Sequence, residues 1–262
     1  MVKGVKSDHI VNILKKLPRS KRLKVKEITL DLSPSMARIA RNCFPQAVLV
    51  SDRFHVQKLM SEAISDMRVD YRWQAIDQEN AMIQLAREVK RPYVPAVFIN
   101  GDTRRQLLAR SRHILLKHHT KWTKSQRERA EILFHEYPAL QEAYEVSMDL
   151  TDIYNQHLNK NQALMKLAHW YNKVERLNLK FFKSLIETMQ NNYGTIVNYF
   201  ENRATNASAE AFNAKVKAFR SQFRGVRDTP FFIFRLKTIF SINIHQPTFR
   251  IDPFFHSDPP SP

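Results

Sequence analysis

The chain has 262 residues, with 42 lysines and arginines against 25 aspartates and glutamates, for a formal net charge of +17. The length supports one large domain or two small ones, and 43% hydrophobic residues suffice for a sizeable core. Only 4 glycines argue against a loop-rich or all-β protein, and a single cysteine rules out an internal disulfide or a zinc ribbon. No run reaches about 18 apolar residues, so no transmembrane helix is expected. The first residues lack a signal-peptide core, and a reducing, cytoplasmic setting fits the lone Cys43. The positive excess attracts an anionic polymer, of which nucleic acid is the commonest.

In chain order, Ser7 is a candidate N-cap for a helix with Ile10, Ile13, Leu14 and Leu17 on one face, stopped by Pro18. A basic loop, Arg19 to Lys24, leads into a strand, Val25 to Asp31. Ser33-Pro34 opens a helix whose inner face carries Met36, Ile39, Ala40 and Cys43. Ala47 to Ser51 is a second strand, so the segment reads as a parallel β-α-β unit. From Val56 to about Lys90 the pattern is helical, until Pro92 and Pro95 break it. Asn100-Gly101-Asp102 is a turn. Further helices are predicted over Arg104–His118, Lys124–His135, Ala139 to about Lys160, and Gln162–Gln190. Ile196 to Phe200 is apolar and fits a strand or a helix. A strong helix follows from about Asn206 to Phe223, with Phe212, Val216, Phe219 and Phe223 on its inner side. A phenylalanine-rich helix spans about Pro230 to Phe240, and the proline-rich tail is expected to be disordered.

Asp31 and Asp52 both sit where a parallel strand ends, the usual place for ligand sites in open α/β sheets. Each could instead cap the next helix. Glu210 is an acid in a basic stretch and could hold a metal while Lys215, Lys217, Arg220 and Arg224 meet phosphates. A compensating charge on a basic helix is the plainer reading. His55, three residues after Asp52, could pair with it and shape the site, or be a buried structural histidine. His113, His118 and His119 read as surface residues. Trp73, Trp122 and Trp170 could stack on bases, but their helical positions favour the core.

Three blocks carry a family resemblance: Leu30-Asp31-Leu32-Ser33-Pro34-Ser35-Met36; Cys43-Phe44-Pro45-Gln46-Ala47 followed by Asp52-Arg53-Phe54-His55-Val56-Gln57-Lys58-Leu59; and Thr205-Asn206 with Glu210, Asn213, Lys215, Lys217 and Gly225. Together they resemble the DDE transposases of bacterial insertion sequences, of the ISL-three type. The stretch Arg110 to Leu116 and Tyr137-Pro138 also look like the family's middle region, so the likeness covers nearly the whole chain except the tail.

The resemblance implies an α+β, mostly helical chain, with a partial RNase H-like α/β core interrupted by a large all-helical insertion. The expected division is 1–55 for the partial core, 56–195 for the insertion, 196–243 for the catalytic-helix part, and 244–262 for the tail. It implies DNA cleavage and strand transfer by phosphoryl transfer with Mg²⁺, or Mn²⁺ in its place. Asp31 resembles the second catalytic acid and Glu210 the third, both as metal ligands. Asp52 and His55 resemble the Asp/Cys-x-x-His element of the family's wider relatives. The family's first catalytic aspartate lies on an earlier strand, which has no counterpart here. The expectation is therefore a truncated or split catalytic domain, inactive alone and weak in metal binding. Its expected partners are DNA and an upstream-encoded transposase segment, with a homo-oligomer left open, no membrane, and a setting in the bacterial cytoplasm at the nucleoid. The other reading is a non-catalytic basic DNA-binding protein that modulates an intact transposase.

Overall fold

The structure is a computed structural model that describes residues 6–205, 207–222 and 228–241. The chain forms two compact units, divided between Thr205 and Asn206. Among the described residues it is mostly helical, with one two-stranded sheet.

The first unit opens with α1 (Ser7–Leu14), for which Lys6 rather than Ser7 occupies the cap position. The basic stretch expected as a loop contains one helical turn, α2 (Arg19–Arg22). Arg22 donates to the Cys43 carbonyl at 2.7 Å, which ties this turn to the end of the next helix. The expected β-α-β unit follows: β1 (Glu27–Leu30), α3 (Pro34–Cys43) and β2 (Val48–Ser51). The strands are parallel, in register from Glu27 with Val48 to Leu30 with Ser51. Proline suits the first position of α3 because that backbone nitrogen needs no helical acceptor. Cys43 is wholly buried with Val11 and Ile39 in a small apolar cluster.

From the end of β2 rises α4 (Arg53–Glu88), 36 residues long. Val56, Met60, Ala63, Ile64 and Met67 recur at helical spacing and form its buried stripe. Beyond Ala75 the stripe ends, and Met82 and Leu85 are exposed. A proline-broken segment then leads through Gly101, whose φ of +78° suits a residue without a Cβ, to the short helices α5 (Arg104–Arg110) and α6 (Arg112–Leu115). Sequence periodicity predicts one helix here. The ladder breaks at Ser111, whose hydroxyl donates to the Leu107 carbonyl at 2.6 Å.

Next come α7 (Lys124–Glu136), α8 (Pro138–Asn155), α9 (Lys160–Leu177), α10 (Lys183–Asn191) and α11 (Tyr193–Asn202). Reciprocal capping boxes start α5, α7 and α9: Thr103 with Gln106, Thr123 with Gln126, and Asn159 with Gln162. The long helix expected over Gln162–Gln190 divides at Asn178, which adopts a left-handed φ of 45°. Leu107, Leu140, Leu150, Leu167, Phe182 and Ile196 belong to one core shared by α4 through α11. The apolar segment Ile196–Phe200 is helical, because α11 lays it against β2 instead of extending the sheet.

The second unit contains α12 (Ala207–Gln222) and α13 (Thr229–Ser241). Phe219 and Phe232 stack across them with ring centroids 5.5 Å apart. Val216 and Phe219 are half-buried, whereas Phe212 is 43% exposed. Phe223, Arg224, Gly225 and the tail 244–262 lie outside the described residues.

Candidate functional site

The two strand-end aspartates are held side by side by the sheet. Asp52 donates its backbone N–H to the Leu30 carbonyl at 2.8 Å, so Asp31 and Asp52 each follow a residue of the register pair Leu30–Ser51. Asp31 is half-buried, and one carboxylate oxygen accepts the Ser33 N–H at 3.1 Å. That bond turns the chain at the start of α3, where Ser33 makes no side-chain cap. The other Asp31 oxygen has no hydrogen bond among the described residues. Asp52 is buried at 3% exposure and caps α4, accepting the Phe54 N–H at 2.8 Å. The capping alternative therefore holds for Asp52. His55 shares this first turn: its N–H bonds the Asp52 carbonyl at 3.1 Å, and its ring stands edge-on to Phe54.

The sheet has two unlike edges. Lys26, just before β1, and Ile28 and Leu30 within it turn their backbone groups toward β2, so Glu27, Thr29 and Asp31 turn theirs away. Among the described residues no strand pairs with that outer edge. The outer edge of β2 is closed by α11. There Asn198 donates its amide to the Leu49 carbonyl at 2.9 Å, and the Ser51 and Thr195 hydroxyls meet at 2.7 Å. Sequence pattern did not single out Asn198, although one amide inside Ile196-Val197-Asn198-Tyr199-Phe200 is the available signal of a buried polar duty.

Around the start of α4 the fold collects basic groups. Arg53 donates to the Tyr154 carbonyl at 3.3 Å and to the Asn155 side-chain oxygen at 2.5 Å. Arg203, left-handed at φ 53°, donates to the Tyr154 carbonyl at 2.5 Å and the Gln156 carbonyl at 2.8 Å. Two guanidinium groups thus cover the free carbonyls at the C-terminal end of α8, where the helix dipole favours cations. Beside Arg53 lies a cavity of about 460 Å³, lined by Gln57, Ser61, His118, Lys121 and Asp152 among others. His118, expected at the surface, has only 22% of its side chain exposed and stands 3.7 Å from Asp152.

Of the tryptophans, Trp170 is core, Trp122 is half-buried and donates to the Ile114 and Lys117 carbonyls, and Trp73 is 61% exposed, outside the core. Asp102, expected only as a turn residue, is fully buried and paired with Arg110 and Arg129. Nothing in a local Asn-Gly-Asp pattern announces that role.

In the second unit, Glu210 lies in the first turn of α12, where a negative charge complements the helix dipole. It is exposed, as are Lys215, Lys217 and Arg220. Lys217 follows Glu210 by two helical turns and shares its face.

The family model of the ISL3-type DDE transposases, described as a transposase, matches residues 1–236. The chain belongs to this family. No curated protein and no solved structure matches it. As an ISL3-type DDE transposase, the protein has DNA as its partner, and its family generally uses divalent metals such as Mg²⁺. Among the described residues, Asp31 keeps one hard carboxylate oxygen free of hydrogen bonds, a donor of the kind such ions take, while no three acids, histidines or cysteines gather to hold one. No helix among the described residues is long and apolar enough to cross a membrane.

Proposed function

We propose that this chain supplies Asp31 and Glu210 as the second and third carboxylates of a DDE phosphoryl-transfer centre, on an RNase H-like sheet whose further strand pairs with the open edge of β1. The observation that carries this reading is Asp31 itself. It ends a strand, keeps a carboxylate oxygen available, and turns its backbone toward an edge without a partner strand among the described residues. An unpaired parallel edge is a template for strand addition. A strand added there would place its own end beside Asp31, as β2 places Asp52.

In this reading Asp31 and Glu210 hold the metal, and Asp52 and His55 shape the pocket. Asp52 fixes the direction of α4, which carries the imidazole of His55 near the strand ends. Lys215, Lys217, Arg220 and Arg224 bind DNA phosphates without reading sequence. Divalent ions bound to the carboxylates would sharpen the attacking hydroxyl and stabilise the leaving oxygen. The setting is the bacterial cytoplasm, on the nucleoid.

The test is plasmid nicking and strand joining with Mg²⁺. Residues 1–262 alone should show neither activity. Fusion or co-expression of a segment carrying a strand that ends in aspartate should switch activity on, and Asp31→Asn or Glu210→Gln should switch it off again. Robust cleavage by residues 1–262 alone would place every needed acid within this chain, with Asp52 the first substitute. Activity that survives both substitutions would put the centre elsewhere.

A further inference from the structure

Arg68 sits in the middle of α4 at 6% exposure. One terminal nitrogen donates to the Leu108 carbonyl at 3.0 Å, and its Nε has no hydrogen-bond partner. Among the described residues it makes no ion pair. Neighbouring acids on α4 are engaged elsewhere: Glu62 pairs with Lys58, and Asp70 with Lys180. Asp66 is two positions away, on the opposite side of the helix. The charges closest in effect are two more arginines, Arg72 and Arg112, both exposed. Burial first, and then these two like charges, push the Arg68 guanidinium below its ordinary pKa of 12.5.

A buried guanidinium stays charged and normally finds a carboxylate. The same fold does place a carboxylate between arginines elsewhere, since the buried Asp102 pairs with the more exposed Arg110 and Arg129. At Arg68 it gathers a second and a third cation instead. No acid among the described residues completes this cluster, so an anion from outside them fits it.

The cluster continues a track. Arg53, Gln57, Ser61, Arg68 and Arg72 recur at steps of four or seven, so they form one stripe along about 28 Å of α4. The first three line the cavity described above, together with Lys121, and Asp152 is the acid there. Arg112 precedes by a few residues the segment Leu115 to Lys121 that forms the opposite wall.

We propose that this α4–α6 seam is a second nucleic-acid interface. Arg72 and Arg112 bind backbone phosphates over the buried charge of Arg68, and the cavity at Arg53 and Lys121 receives the strand as it nears Asp52. The ligand chemistry is the phosphodiester, in duplex or single-stranded DNA. The proposal rests on DNA being the partner, and adds a surface distinct from α12.

The test uses the full chain and fluorescence anisotropy, with a short mixed-sequence duplex and its single strand, each across a range of salt concentrations. Arg72 and Arg112 are exposed, so R72Q/R112Q should fold normally, which thermal melting checks. Its plot of log affinity against log salt should be shallower by about 2 on the duplex, at about 0.9 for each phosphate that is no longer neutralised. Arg68→Met, which keeps the stem and removes the charge, should weaken binding in the same direction. A steep wild-type slope that R72Q/R112Q leaves unchanged on both DNAs overturns this interface and leaves the DNA reading standing. A wild type without salt-dependent binding overturns both. Stronger competition by polyglutamate than by DNA of equal charge would make the surface a protein-docking site and overturn the proposal.

Discussion

The backbone N–H of Asp52 bonds the carbonyl of Leu30 at 2.8 Å, and this single hydrogen bond sets the strand-end aspartates beside each other. It extends the parallel ladder by one residue beyond the paired strands. Asp31 and Asp52 nonetheless have different duties. Asp31 uses one carboxylate oxygen to turn the chain into α3, while buried Asp52 caps a helix of 36 residues.

Asp52→Ala should therefore cost stability whether or not Asp52 touches a metal. Loss of an N-cap typically costs about 1 kcal/mol, and up to about 2. In a unit of this size that lowers Tm by about 2–4 °C per kcal/mol. Asp52→Asn, which can still cap, should melt close to wild type. Equal melting of the alanine and wild-type chains would show that the cap contributes nothing.

Asp31→Asn keeps an oxygen that can accept the Ser33 N–H, so its melting temperature should stay near that of the wild type. Calorimetric titration with Mn²⁺ should nevertheless show weaker binding than the parent chain, because an amide oxygen carries no charge for the ion. Unchanged Mn²⁺ affinity would remove Asp31 from the ligand set.

Asn198→Ala should destabilise the sheet-bearing unit by about 1–3 kcal/mol, the cost of leaving a buried carbonyl without its donor. The Leu49 carbonyl loses the amide that closes the outer edge of β2, and Lys160 loses a hydrogen-bond acceptor. Urea unfolding would measure the change. A shift below a few tenths of a kcal/mol would show that water replaces the amide freely.

The buried Asp102 makes an acid-sensitive lock. Burial alone would raise its pKa, but hydrogen bonds from Arg129 and Arg110, and their charges, outweigh burial and hold the pKa below the ordinary 3.8. A depressed carboxylate pKa stabilises the fold fully above the ordinary value, and the gain fades as pH falls through the folded one. Wild type should thus lose more stability than Asp102→Asn on acidification below about pH 4. At neutral pH, Asp102→Ala should cost about 1–3 kcal/mol, because the Asn100 amide and the two arginines lose a charged acceptor. Parallel pH curves for wild type and Asp102→Asn would contradict the lock.

Replacing Lys215, Lys217 and Arg220 by glutamine should weaken binding to duplexes of any sequence. The salt slope should become shallower by up to about 0.9 for each phosphate these side chains neutralise in the wild type. A loss confined to one DNA sequence would mean that α12 reads bases rather than backbone.

The elements that rest on local pattern were legible in the sequence. The β-α-β unit and the long helix after Asp52 follow from alternation and helical spacing, which act within a few residues, whereas the caps expected at Ser7 and Ser33 make no side-chain cap bond. The family was legible because its blocks repeat recognisable residue patterns at two strand ends and on one helix. Where a helix breaks was not legible: Ser111 and Asn178 interrupt runs whose periodicity continues. Whether Ile196–Phe200 became strand or helix was decided by packing on β2, since a short apolar run satisfies both periods. Tertiary structure alone assigned duties to lone polar residues. Asn198 closes a strand edge, Asp102 neutralises two arginines, and Arg68 lies buried without an acid among the described residues, because each depends on neighbours distant in sequence that local pattern does not encode.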